Sequence, residues 1–550
     1  MAGKERQNES LPACVTEYIN LVVRKIKYRR KVRQEVRQEL TDHFTDALAK
    51  YQMEEQRQQA AEKLIADFGD PKLLATLIRR GKKRCRPLWK KLIIRSFQAV
   101  GLFIILFCFY TWWFISGTPT IRVDYVAQLN QISRPEVADE DNAWPHYEKA
   151  ADLYVEPDES IKDQIRILDK SQEGYKDFSQ FTEAEQKALL EWMEQNQPAW
   201  NEYVTGSQKR YCWIRYQAEN NCMLDVITPK LGHLRGLTRL AIWQAWIHFN
   251  QTQTDKALEL CLVILRVGNH LQKEKGTIVG QLVGLGISKI GYSELISLSQ
   301  QTDVTLSKWE QIQNELETLY KNGYPLMDVA SERLFFLDII QRVFTDGGIG
   351  GGHLLPNEML EKLIGVGNNY EETEERVRLI GLGLIHANRE ETIKKANAIY
   401  DLLEKISKMT PYEIHKENIN YEKEIQHLSY RYFLVRTLIP ALQRVGELSF
   451  RGKAMHEATL TVLALRRRQM EKGAYPEKLE ELVTEGYLRQ LPEDPYSDSI
   501  LRYEKRGDDF ILYSLGRNFV DDGGVQHPEV NFEWGDIDKV GDRVFWPVSQ

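Results

Sequence analysis

At 550 residues the chain exceeds what one hydrophobic core usually serves, so two or more folding units are expected. Its formal charge of −6 hides a division: residues 1–96 carry 23 Lys+Arg against 12 Asp+Glu, a net of +11, which leaves −17 for residues 97–550. The 6 cysteines (Cys14, Cys85, Cys108, Cys212, Cys222 and Cys261) contain no C-x-x-C pair, which excludes a zinc ribbon and a thioredoxin-like redox motif.

The first segment reads as short amphipathic helices. Val32, Val36, Leu40, Phe44 and Leu48 recur every four residues, while Arg33, Glu35 and Arg37 face away. A further helix around Ala60–Phe68 stops at Gly69, and Asp70-Pro71 opens the next over Lys72–Arg80. The stretches EVRQELTDHFTDAL and AAEKLIADFGDPKLLATLI resemble the bacterial HAAS-type signalling domain, with the match carried by Glu39, Leu40, His43, Phe68, Gly69, Asp70 and Pro71 over about residues 15–80. That family sits ahead of membrane spans and near transcriptional regulators, so the resemblance implies a cytosolic sensing or docking role. His43, beside Phe44 on a helix face, reads as a packing or hydrogen-bonding histidine rather than a ligand or base.

Nine basic residues follow without an acidic one: Arg79, Arg80, Lys82, Lys83, Arg84, Arg86, Lys90, Lys91 and Arg95. Phe97–Gly117 then runs for 21 residues without a charge. As a helix this spans about 31 Å, against a hydrocarbon core about 30 Å thick. Trp89 and Trp112/Trp113 stand at its ends, as interfacial anchors do. A transmembrane helix over residues 93–117 is expected, and the apolar run lies too far along the chain for a cleaved secretory signal. The positive-inside rule puts residues 1–88 in the cytoplasm and residues from about 118 onward outside, because Thr118–Asp141 is net acidic. The basic cluster suits anionic lipid headgroups at the membrane surface better than nucleic acid.

Beyond residue 118, Thr182-Glu183-Ala184-Glu185 is a capping box that opens a helix to about Asn196, and Pro198 is expected to close that unit. Leu240–Asn250 and Asp255–Leu271 form two apolar helices around the turn Gln251–Thr254, with Ala245 and Ala257 where they could cross closely. This pair resembles a tetratricopeptide-like hairpin, although no clean repeat recurs elsewhere. Helices are also expected at Leu306–Lys321, Asp328–Thr345, Glu390–Met409 and Lys453–Glu471. Cys212 and Cys222 fall in the segment expected outside the cytosol, where a disulfide could persist; sequence leaves that pairing open.

The last hundred residues change character. A long helix ends at Ala474-Tyr475-Pro476, and Leu501–Glu504 and Phe510–Tyr513 alternate like the strands of a hairpin across Lys505–Asp509. GAYPEKLEEL, LPEDPYSD, LYSLG and DDGG resemble the C-terminal part of type II secretion major pseudopilins, over about residues 455–540. The resemblance implies a helix leading into a small sheet, and a calcium ion held by Leu515, Asn518, Asp521, Asp522 and Asp536. Asp-Asp-Gly-Gly is equally good as a plain turn, so both readings stand.

Other motifs carry little chemistry. Gly347–Gly352 has neither a preceding strand nor a following Lys-Ser/Thr, so it reads as a loop rather than a phosphate cradle. His456-Glu457 begins like a zincin helix, but Leu460 stands where the second histidine belongs. Trp192, Trp200, Trp213 and Trp243 suit either a stacking groove or a helical core.

The expected fold is mainly α: a basic helical bundle at residues 1–88, one transmembrane helix, a large α-helical-hairpin ectodomain at 118–450, and a small α+β module at 451–550. The expected function is a single-pass interaction or signalling protein of the bacterial cell membrane, with an outer partner-binding domain and an inner docking domain. A homodimer would ease relay through one span, and Gly101 with Cys108 gives a small-residue face for it. An extracytoplasmic enzyme of the envelope and a scaffold of a secretion-like assembly are the rival classes. No constellation in the sequence compels an enzymatic reading.

Overall fold

The computed structural model describes residues 10–84, 88–162, 181–226, 230–300, 304–347, 351–359, 385–439, 442–525 and 541–547. Among these the protein is mainly helical, with a small three-stranded sheet near the C-terminus. The chain divides into two compact units, Met1–Trp112 and Trp113–Gln550.

The smaller unit contains α1 (Ala13–Lys25), α2 (Arg30–Leu48), α3 (Glu54–Phe68), α4 (Pro71–Arg84) and most of α5 (Leu88–Ile115). The four-residue stripe of α2 does what its spacing requires: Val36, Leu40, Phe44 and Leu48 are buried in one cluster with Val15, Tyr18, Ile19 and Val22 of α1. Gly69 ends α3 at φ +73°, a conformation only glycine adopts freely. The Asp70 carboxylate then accepts from Lys72 N–H (2.9 Å), and Pro71 opens α4. The Tyr18 hydroxyl donates to the Gly69 carbonyl (2.9 Å), which ties this corner to α1.

Within α5, Leu92–Ile115 is long and apolar enough to cross a bilayer, and no other helix among the described residues is. Its apolar side chains, Phe97, Phe103, Ile104, Ile105 and Phe109 among them, are exposed. The helix begins inside the basic cluster, at Leu88, and ends before Ser116 and Gly117.

In the larger unit α6 (Tyr125–Ser133), capped by Asp124, and α7 (Trp144–Leu153) precede α8 (Glu183–Gln195) and α9 (Gln197–Ser207). The capping box at Thr182 and Glu185 is present. Pro198 does not close that unit as expected; it sits in the first turn of α9, where its missing N–H costs nothing. The hairpin of α10 (Leu231–Asn250) and α11 (Thr254–Lys273) is longer than its apolar period suggests, with Ala245 and Ala257 buried in a shared cluster.

Packed on α11 is α12 (Ile278–Ser299), a helix not expected from the sequence. It carries four glycines and is apolar on most sides, so neither propensity nor a one-sided period announces it. The glycines let the backbones approach: a Cβ on Gly284 would lie 2.8 Å from Gln272 N and from Gly268 O of α11. Then follow α13 (Leu306–Leu319), α14 (Ala330–Val343), α15 (Arg389–Ile406) and the 31-residue α16 (Leu442–Lys472).

The C-terminal sheet has the order β1-β2-β3, all antiparallel, with β1 Arg502–Arg506, β2 Asp509–Ser514 and β3 Arg543–Trp546. Arg506 pairs with Asp509, so the turn is the two residues Gly507-Asp508 rather than the longer loop expected. The third strand was not foreseen. Phe510 and Trp546 stack at 5.0 Å over a core shared with Tyr475, Leu479 and Leu482.

Candidate functional site

The larger unit holds a cavity of about 340 Å³. One wall is α14, where Glu332, Phe335, Phe336 and Ile339 fall at i, i+3, i+4 and i+7 and so share a face. Met223, Leu224 and Val226 form a second wall, and Thr277 and Val279 at the start of α12 a third. Tyr216, Tyr400 of α15 and Leu438 complete the lining.

The loop wall is held from α14. Arg342 Nη2 donates to the carbonyls of Asn221 (2.6 Å) and Asn220 (3.3 Å), whose φ values of +50° and +51° mark a tight reversal. Asp338 Oδ2 accepts from Met223 N–H at 2.8 Å.

Glu332 is the one carboxylate among the described residues that line the cavity. Its backbone carbonyl accepts from the Tyr400 hydroxyl (3.0 Å), but no described residue donates to its carboxyl group. Burial alone holds that carboxyl above the usual range. A second acid stands behind the wall: the Tyr216 hydroxyl donates to Glu274 Oε2 (3.1 Å) and accepts from Thr277 N–H (3.2 Å). Glu274 Oε2 also accepts from Gly276 N–H (3.0 Å). Glu274 is 1% exposed, and burial pushes its pKa to about 7. Such an arrangement suits binding: apolar and aromatic walls exclude water, and one carboxyl orients what enters.

A second cavity of about 300 Å³ lies between the short helix Pro411–Lys416 and the C-terminal module. Its charges are already paired, Glu447 with Arg517 (3.0 Å) and with Arg451 (2.9 Å), and His415 stacks on Phe519 at 4.3 Å.

The residues expected to hold calcium lie in a network of their own. Asn518 Nδ2 donates to Asp522 Oδ2 (2.8 Å), and Asp521 Oδ1 accepts from the Tyr513 hydroxyl (2.9 Å) and Gly523 N–H (3.1 Å). Arg502 approaches Asp521 at 3.4 Å, Leu515 is buried, and Asp536 lies outside the described residues. Asp542, 1% exposed, accepts from Gly524 N–H (2.7 Å) and lies near Asp521 and Asp522. Among the described residues no three His, Cys, Asp or Glu side chains converge closely enough to hold a metal ion.

Of the basic cluster, Arg79, Arg80 and Arg95 are exposed, whereas Lys82 pairs with Glu39 (3.2 Å) and Glu35 (3.8 Å). Arg86 and the side chains of Lys83, Arg84, Lys90 and Lys91 lie outside the description, as do Cys85 and residues 348–350 of the glycine run. His43 is exposed and packs edge-on against Phe68 at 5.4 Å.

Cys212 and Cys222 are free thiols, not bridged. Their surroundings differ: Cys212 lies near Tyr147 and Glu274, Cys222 near Asp225 and Arg342. Trp192, Trp200, Trp213 and Trp243 are buried, so they build core rather than a groove. His456 is buried too, its Nδ1 3.0 Å from the Tyr292 hydroxyl.

Glu332 had a legible signal, an acid standing in the apolar stripe of α14. Tyr216, Thr277 and Tyr400 had none, because the tertiary fold alone brings them to that stripe. Compared with protein-family models, with curated proteins and with solved structures, the chain has no significant match.

Proposed function

We propose that the chain is a single-pass membrane-anchored interaction or signalling protein, whose larger unit binds a partner outside the cytoplasm and whose smaller unit docks a cytosolic factor. The observation that carries this is α5: within it Leu92–Ile115 is long and apolar enough to cross a bilayer, and apart from its last turn, where Phe114 is buried, most of its large apolar side chains are exposed. In water such an exposed face would be costly, whereas a bilayer accepts it. The basic residues from Arg79 to Arg95 favour the cytoplasmic side for the smaller unit and headgroup contact for Arg79, Arg80 and Arg95. The corner at Tyr18, Gly69, Asp70 and Pro71 supports the HAAS-type reading of that unit, and the helix-plus-sheet of residues 442–547 supports the pseudopilin-like reading of the last module. A calcium ion at the 515–522 turn belongs to the latter reading, and the nearness of the buried Asp542 to Asp521 and Asp522 supports it.

Protease protection tests the topology. In intact spheroplasts an added protease should degrade the larger unit and spare the smaller one. Protection of the larger unit instead would overturn the orientation, and release of the protein by alkaline carbonate would overturn the span.

One observation favours an enzyme of the envelope instead: Glu274, held near neutral pKa, bonds to Tyr216 of the cavity wall. Turnover of an envelope polymer by the purified protein, abolished by Glu274→Gln, would decide for that reading.

A further inference from the structure

The cavity of the larger unit is small, and its lining is uneven in a way that selects a ligand. Four aromatic rings face it, those of Tyr216, Phe335, Phe336 and Tyr400, and aliphatic side chains fill most of the rest. The polar side chains are few. Tyr216 spends its hydroxyl on Glu274 and Thr277, and Tyr400 donates its own to the Glu332 carbonyl. That leaves the Glu332 carboxyl as a hydrogen-bonding group with no donor from any described residue.

Glu332 is part-buried, so its carboxyl has lost part of its hydration, and a ligand donor that replaces the remaining water gains a charge-assisted hydrogen bond. A ligand cation answers both features of the wall at once. It pairs with the carboxylate by a charge-assisted hydrogen bond, and aromatic faces attract it electrostatically. An anion would meet Glu332 with repulsion, and the volume of about 340 Å³, at the lower end of the range of about 300–1,000 Å³, is that of a small-molecule site.

We infer that this cavity binds a small organic amine, its ammonium group on the Glu332 carboxylate and a compact apolar body among Phe335, Phe336 and Tyr400. This rests on reading the larger unit as a binding domain and names the chemistry of what it binds.

Three matched probes test it by calorimetric titration of the full-length protein in nanodiscs, with empty nanodiscs as reference: 2-phenylethylamine, 2-phenylethanol and phenylacetate. The amine should bind at least about tenfold more tightly than the alcohol, the scale of a charge-assisted hydrogen bond, with phenylacetate weakest. Glu332→Gln should erase the preference for the amine while leaving the alcohol unchanged. Val279 is 52% exposed at the cavity edge, so Val279→Trp is tolerable to the fold and should block all three. Equal binding of amine and alcohol by the native protein would overturn the amine assignment and keep the cavity as a binding site. No binding of any probe at millimolar concentration would overturn both. Amine binding unaffected by both substitutions would put the site elsewhere and overturn the inference.

Discussion

Asp338 and Arg342, one turn apart on α14, form an ion pair at 2.8 Å whose side chains are 0% and 6% exposed. The pair is saturated: Asp338 Oδ1 also accepts from Gln341 Nε2 (2.7 Å) and Oδ2 from Met223 N–H (2.8 Å), while Arg342 holds the Asn220 and Asn221 carbonyls. Asp338→Ala strands a buried guanidinium and two donors, so unfolding should become easier by about 3–5 kcal/mol. Chemical denaturation of the purified protein measures this. Replacing both partners together with Leu and Met should recover much of the loss, because the stranded charge goes too.

Two glycines of α12 two residues apart should respond with opposite sign. A Cβ on Gly284 meets α11 backbone at 2.8 Å, so Gly284→Ala forces the helices apart and should cost about 1–3 kcal/mol. Gly286 has nothing within 4 Å of its Cβ position, so Gly286→Ala should stabilise by about 0.5–1 kcal/mol through helix propensity. Thermal melts of the two variants decide it, and equal effects would contradict the close crossing.

Glu294 is 1% exposed and accepts from Trp246 Nε1–H at 2.9 Å, and burial raises its pKa from 4.5 to about 8. A raised folded pKa means that the native state binds more protons than the unfolded chain between those values. Stability therefore falls as pH rises from about 4.5 to about 8. Glu294→Gln keeps an acceptor for Trp246 and removes the titration. The variant should match the native protein near pH 5 and exceed it near pH 8 by about 2–4 kcal/mol, read from melts at the two pH values.

Calcium binding to the last module should appear as stabilisation of the full-length protein, about 2.7 kcal/mol at one hundred times the dissociation constant. Melts in excess Ca²⁺ and in chelator test it, and Asp521→Asn should abolish the difference. Identical melts would remove calcium from the reading.

Pairing of two copies through α5 should be visible at Cys108, which is free and exposed on the same helix as Gly101, itself with open space at its Cβ position. Mild oxidation of membranes should yield a dimer that Cys108→Ser prevents and Gly101→Leu weakens. Oxidation that leaves only monomer would argue against a close approach at that face.

The fold was legible wherever a local rule was strict. The four-residue stripe of α2, the Gly69-Asp70-Pro71 stop and start, the capping box at Thr182 and the apolar run of α5 each stand in the sequence and in the structure. It was illegible where a neighbour decided. Pro198 reads as a stop until α9 is seen to begin around it, and α12 carries no one-sided apolar period of its own, its glycines gaining their meaning from the close approach of α11.

By itself the sequence determined periodicity, helix ends and the asymmetry of charge on either side of an uncharged run, because each depends on residues within a few positions of one another. Tertiary structure decided the rest. It paired β3 with β2, spent Lys82 on Glu39, left Cys212 and Cys222 as free thiols, and brought Tyr216, Thr277, Glu332 and Tyr400 to one cavity across nearly two hundred residues. Those outcomes follow from burial and close packing between distant segments, which no local pattern encodes.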